Sequence, residues 1–384
     1  MHYIVKLFFI RLYGFFLRFV FSIFPLKRNT VVFISFDGLR IACNPYYLYL
    51  YIKENDDRFN CYWVIDHRSK ARNIPEDMII IKGSYKYFLY MHTSQFIVTN
   101  DRFSSFFRFR KDQVLINTWH GGGAFKRTFG YPKGTMKWYL DNTTKMDSNR
   151  TSIFLSSSER WTEVIARKSF YYHGEVLRSG FPRNDVFFVD NSNKNKHIKN
   201  SLGINEEDII VLYAPTYRPQ SQGANNSIEN IDVQKVKETV SKKYKKACHF
   251  LYRGHHLMLH DGALGECIDV SDYPDMQELL LIADVLISDY SSCLWDFSLT
   301  YRPCFIYAPD FKQYALNPGF ESDYKEWPFI IVYNNDELEL AIINFDEDSF
   351  VERAKLYHQL YGSYDKGDAS KIVLARMQDI VGAF

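Results

Sequence analysis

Short apolar runs recur along the whole chain, each followed by a stretch of helical period, and this alternation leaves few folds open. Runs apolar on both faces, with helical segments between them, form parallel sheets covered on both sides by helices. The predicted strands of the first half are Val31–Phe36, Cys61–Asp66, Met78–Lys82, Gln95–Thr99, Gln113–Thr118, Ser152–Ser156 and Val176–Gly180. Helices are expected over Tyr85–Thr93 and Glu159–Phe170. In the latter, Trp161, Val164, Ile165 and Lys168 recur at i, i+3, i+4 and i+7. The polar, Asn/Lys-rich stretch Asp190–Ser201 has little to bury and reads as a linker. The alternation then restarts with Ile209–Ala214, Cys248–Arg253, Glu266–Val270, Asp284–Ser288, Pro303–Tyr307 and Phe329–Tyr333. Helices are expected over Val233–Lys246, Met276–Ala283 and Ser292–Thr300, a long polar loop over Pro219–Asn230, and a helical tail from Phe350. The expectation is an α/β protein of two Rossmann-like domains, residues 29–190 and 191–384, with a last helix that can return to the first domain.

Residues 1–28 stand apart. They are rich in Phe, Leu, Ile and Val, but Lys6, Arg11 and Arg18 interrupt them, and Lys27 and Arg28 follow. A spanning helix needs about 20 apolar residues in a row, and a secretory signal needs an unbroken apolar region with a cleavage site. An aromatic, basic, amphipathic helix lying in a membrane interface fits the pattern instead. The formal net charge of +2 gives no basis for nucleic-acid binding. The six cysteines form no C-x-x-C pair and have no His at zinc-finger spacing, so a reducing compartment and no structural metal are expected.

Ligands of doubly wound sheets bind at the carboxyl ends of the strands, and polar clusters stand at those places. After Gln113–Thr118 come Trp119, His120, Gly121, Gly122 and Gly123, then Lys126 and Arg127. Glycines let backbone N–H groups approach an oxyanion, and an imidazole suits a general base near neutrality. Arg183 follows another strand in Pro182-Arg183-Asn184-Asp185, where its fork matches phosphate oxygens. Pro215 and Thr216 follow Ile209–Ala214, and Arg253, Gly254, His255 and His256 follow Cys248–Arg253. Finally Asp289-Tyr290-Ser291-Ser292 leads into a helix carrying Asp296. Ser291 or Ser292 is its natural N-cap, and the first turn offers N–H groups to phosphate.

Together these clusters resemble the CDP-glycerol glycerophosphotransferase family, the teichoic acid primases and polymerases. The motifs are W-H-G at Trp119, P-R-N-D at Pro182, A-P-T-x-R at Ala214, R-x-H at Arg253, and S-D-Y-S-S followed by Asp296, in the family's order from about Thr118 to Gly319. The resemblance implies a glycosyltransferase-B-like fold with His120 as base and His255 assisting at the donor phosphates. It implies CDP-glycerol contacts at Trp119, Gly121, Gly122, Gly123, Arg183, Pro215, Thr216, Arg253, Gly254, Ser291, Ser292 and Asp296. The expected partners are a CDP-glycerol donor, a lipid-linked saccharide acceptor and the cytoplasmic face of the membrane, with no nucleic acid and no metal or other cofactor. A CDP-ribitol transferase, a nucleotide-sugar transferase of the same fold and a non-enzymatic membrane scaffold are the rival readings.

Overall fold

The computed structural model describes residues 2–66, 72, 74–103, 106–125, 127, 133–216, 231–254, 266–316 and 319–382. The expected loop Pro219–Asn230 lies outside them, as do Lys126, Tyr217, Arg218, His255 and His256. The chain divides into two units. The first comprises Met1–Gly121, Thr128–Phe188 and Gly362–Phe384, and the second Gly122–Arg127 and Val189–Tyr361.

The first unit is built on seven parallel strands: β1 (Lys27–Ile34), β2 (Asn60–Ile65), β3 (Ile79–Ile81), β4 (Ser94–Thr99), β5 (Val114–Asn117), β6 (Ile153–Leu155) and β7 (Glu175–Leu177). Their spatial order is β3-β2-β1-β4-β5-β6-β7. Connections run one way from β1 and the other way from β4, so the switch point lies between these two strands. β4 is buried along its whole length, and Val32, Ile34, Val64, Ile80, Met91, Ile97 and Leu115 form one core on this sheet. Each such side chain contributes about 1.5–3 kcal/mol by leaving water.

The helix His2–Phe21 belongs to this unit. It buries a narrow stripe, Leu7, Gly14, Leu17 and Phe21. A Cβ at Gly14 would collide with the Phe106 carbonyl, so only glycine permits this approach. Arg110 closes the helix end by donating to the carbonyls of Phe21 and Phe24. Among the described residues no helix is long and apolar enough to cross a membrane. The tail also joins this unit: Asp365 accepts from Phe181 N (2.8 Å) and Asn184 Nδ2 (3.2 Å), and Asp185 accepts from Ala369 N (2.9 Å) and Ser370 N (2.8 Å) at the start of the helix Ala369–Gly382.

The second unit holds β8 (Ile209–Ala214), β9 (Cys248–Tyr252), β10 (Ile268–Asp269), β11 (Val285–Ser288), β12 (Cys304–Tyr307) and β13 (Ile330–Val332), all parallel, in the order β10-β9-β8-β11-β12-β13. Its switch point lies between β8 and β11. The stretch Asp190–Ser201, expected to be a linker, is instead largely the helix Ser192–Ser201. Its single buried apolar residue is Ile198, and polar bonds supply the rest: Lys194 pairs with Glu278, Lys196 with Glu206, and Lys199 Nζ donates to the carbonyls of Glu206 and Asp208. The helix expected over Glu159–Phe170 starts as an α-turn at Glu159–Trp161 and continues as a π-helix over Thr162–Ser169.

Candidate active site

In the first unit the polar residues gather at the carboxyl ends of β1, β4 and β5. Asn100 follows β4 and is fully buried. Its side-chain oxygen accepts from Phe36 N (2.8 Å) beyond the end of β1, so it bridges the switch point. Its main-chain carbonyl lies 2.6 Å from Nδ1 of His120. A carbonyl can only accept, so Nδ1 carries a proton, and in the neutral form of the ring the lone pair lies on Nε2. His120 is half-buried, stacked on Trp119 with ring centroids 4.3 Å apart and facing Phe36 at 5.7 Å.

The segment carrying His120 is an elbow. Asn117, the last residue of β5, accepts from Trp119 N (2.9 Å) through Oδ1. Trp119 sits at φ 50, in the left-handed region, which costs an ordinary residue about 1–2 kcal/mol. Arg183, expected at a phosphate, is 5% exposed. Its Nη1 donates to the His120 carbonyl (2.7 Å) and lies 3.1 Å from Cys43 Sγ. Trp161 Nε1 donates to the Gly121 carbonyl (2.7 Å).

In the second unit the polar loops flank the switch point between β8 and β11. Thr216, after Pro215 at the end of β8, donates to Asp289 with its N–H (3.0 Å to Oδ1) and with Oγ1 (2.8 Å to Oδ2). Asp289 follows β11 and also accepts from Tyr290 N (2.6 Å). Ser288 Oγ donates to the Ala214 carbonyl (2.6 Å), locking the two strand ends together. Arg253 continues the ladder of β9 through its N–H to Tyr213 O, and its Nη1 donates to Tyr273 O, both at 2.9 Å. Gly254 N donates to Ser271 Oγ (2.9 Å). His255 follows directly, outside the described residues.

The helix after β11 is short, Cys293–Ser298. The expected cap takes a different form. Ser292 already has helical backbone angles (φ −66, ψ −13) and makes no side-chain cap, while Ser291 Oγ accepts from Cys293 N at 3.4 Å. A capping hydroxyl needs an extended backbone, which Ser292 lacks. Both serines are half-buried. Asp296 is buried and accepts from Gln277 Nε2 (3.0 Å). Gly122 and Gly123 belong to this unit. Gly122 lies against the Trp295 indole so closely that a Cβ would overlap the ring. Phe125 packs edge-on against Trp327 (5.1 Å) and its carbonyl accepts from Glu321 N (2.9 Å).

Four residues that hold these loops, Asn44 (whose Nδ2 donates to the Thr118 and Trp119 carbonyls), Asn100, Trp161 and Asp289, are not among the candidates picked from sequence. Asp289 stands beside a recognised pair of serines and its motif position could have flagged it. The other three act through partners far along the chain and carry no local signal.

Two parallel sheets, each with polar loops at its switch point, define a doubly wound α/β protein with a candidate ligand site at each switch point. The family model for CDP-glycerol:poly(glycerophosphate) glycerophosphotransferase matches residues 16–378, and the chain belongs to that family. It is 29% identical to the teichoic acid poly(glycerol phosphate) polymerase of Bacillus spizizenii, over 96% of each chain. It is 29% identical to the teichoic acid glycerol-phosphate transferase of Staphylococcus aureus, over 90% of this chain and 92% of that one. A solved structure of the wall teichoic acid polymerase TagF superposes with a TM-score of 0.82 at 25% identity, covering 99% of this chain and 98% of the other.

Proposed function

We propose that this chain transfers glycerol phosphate from CDP-glycerol to a hydroxyl of a membrane-linked teichoic acid or related glycopolymer precursor, with release of CMP. The observation that carries the reading is the His120 tautomer. With Nδ1–H given to the Asn100 carbonyl, Nε2 is the nitrogen that can take a proton. Nε2 removes the proton from the acceptor hydroxyl. That oxygen attacks the phosphorus bearing glycerol, the bond from phosphorus to the bridging oxygen breaks, and CMP leaves with the electron pair. Phosphoryl transfer depends chiefly on positioning and on stabilising the moving charge. Pro215, Thr216, Arg253, Gly254, Ser291 and Ser292 are assigned to the donor, with His255 at its phosphates. Trp119, Gly121, Gly122 and Gly123 shape the loop beside the base. Acceptor chemistry falls to the first unit and donor binding to the second, the division of labour of a glycosyltransferase-B-like enzyme. No metal is given a role.

The helix His2–Phe21 supports attachment to the cytoplasmic face of the membrane. Outside its buried stripe it presents Phe8, Phe9, Phe15, Phe16 and Phe19, each at least 60% exposed, with Lys6, Arg11 and Arg18 among them. Aromatic rings entering the acyl boundary beside basic groups at lipid heads account for that composition.

The test is CMP release from CDP-glycerol, CDP-ribitol and UDP-sugars offered in parallel with a lipid-linked acceptor. Turnover with CDP-glycerol well above the others supports the reading, and preference for any other donor refutes it.

A further inference from the structure

Four consecutive carbonyls, those of Thr118, Trp119, His120 and Gly121, are each met by a side-chain donor from another part of the first unit. Asn44 Nδ2 donates to Thr118 O (3.2 Å) and Trp119 O (2.9 Å), Arg183 Nη1 to His120 O (2.7 Å), and Trp161 Nε1 to Gly121 O (2.7 Å). Asn44 and Trp161 are fully buried and Arg183 nearly so. Asn44 and Arg183 are also joined to each other, since Arg183 N donates to Asn44 Oδ1 (3.2 Å). These carbonyls belong to no helix or strand ladder, so the side-chain donors replace the regular hydrogen bonding that would otherwise fix the chain. They do so where the left-handed turn at Trp119 needs support.

We infer that Asn44 and Arg183 are positioning residues for His120: they hold its main chain so that Nδ1 stays on the Asn100 carbonyl and Nε2 is presented to the acceptor hydroxyl. The inference rests on His120 being the base. It assigns Arg183 to the elbow rather than to the donor's phosphates, and those two roles separate in kinetics. A positioning residue changes turnover and leaves donor affinity alone, whereas a phosphate ligand changes donor affinity.

The experiment uses the full chain, with CMP release for turnover and calorimetric titration with CDP-glycerol for affinity, on Asn44→Ala, Arg183→Ala, Arg183→Lys, His120→Ala and His120→Ala/Asn44→Ala. Asn44→Ala and Arg183→Ala are expected to lower kcat at least tenfold with the CDP-glycerol dissociation constant within about twofold of wild type. Arg183→Lys, which keeps a donor of similar reach, recovers part of the loss. The double variant is expected to be no slower than His120→Ala, because the clamp acts only through the imidazole. A tenfold weaker CDP-glycerol affinity at unchanged kcat in Arg183→Ala overturns the inference, as does wild-type kcat in Asn44→Ala while His120→Ala is inactive. Wild-type turnover in His120→Ala would instead remove the parent reading. Should Asn44→Ala fail to fold, shown by loss of CDP-glycerol binding, the Arg183→Lys and Arg183→Ala pair decides alone.

Discussion

Nδ1 of His120, three residues past the end of β5, stands 2.6 Å from the main-chain oxygen of Asn100, the residue that follows the neighbouring strand β4. The pair does for this imidazole what a carboxylate does in hydrolytic triads: it fixes the tautomer and the ring's orientation. A neutral carbonyl does so without adding a negative charge next to the ring. The side chain of the same asparagine ties down Phe36, so the orienting group is anchored to the neighbouring strand end as well.

The carboxylate of Asp289 organises the loop after β8 through Thr216, whose N–H and hydroxyl both donate to it. Hydrogen bonds to a charged acceptor contribute about 1.5–3 kcal/mol each, and about 1.4 kcal/mol is a factor of ten in affinity. Asp289→Asn cannot accept from all of its present donors. Its dissociation constant for CDP-glycerol should rise about tenfold or more by calorimetric titration, and an unchanged value would detach this loop from the donor.

Gly122→Ala should be unstable for a steric reason. The added methyl overlaps the Trp295 indole, and overpacking of a close contact costs about 1–3 kcal/mol. Thermal denaturation should show a lower Tm, and Trp295→Phe in the same chain should restore part of it.

Burial beneath Trp295 lowers the pKa of His358 to about 4. Ser298 Oγ donates to Trp295 O, so His358 Nε2–H donates to Ser298 Oγ and the buried Nδ1 has no hydrogen-bond partner. Protonation would place an unsatisfied N–H there. The unfolded chain takes up that proton near pH 6.5 and the folded chain only near 4, so stability is present above pH 6.5 and is lost as pH falls toward 4. The Tm difference between pH 7 and pH 5 should be smaller in His358→Gln than in wild type.

Replacing Phe8, Phe15 and Phe19 by serine should abolish co-sedimentation with anionic phospholipid vesicles while leaving CDP-glycerol affinity unchanged. Raising salt should weaken wild-type binding, because Lys6, Arg11 and Arg18 each contribute about 1 kcal/mol near an anionic surface.

Both sheets were legible in the sequence because strands buried on two faces are written as unbroken apolar runs, as in β4 and β8. The helix Ser192–Ser201 was hidden because one isoleucine gives no periodicity and its support is ionic. Reactive residues at strand ends could be listed, but their partners could not. Asn44 meets Trp119 from 75 positions away, and Asp185 meets Ala369 from 184. Pro182-Arg183-Asn184-Asp185 reads as a ligand loop, yet Arg183, Asn184 and Asp185 each bond to other segments of the first unit. A motif shows which residues occur together and not whether they face a ligand or one another.

Single-turnover CMP release by His120→Ala decides whether His120 is the base. Removal of a general base predicts a rate lower by roughly 100-fold or more, with CDP-glycerol binding retained. A rate near that of wild type, with acceptor saturating, would contradict it.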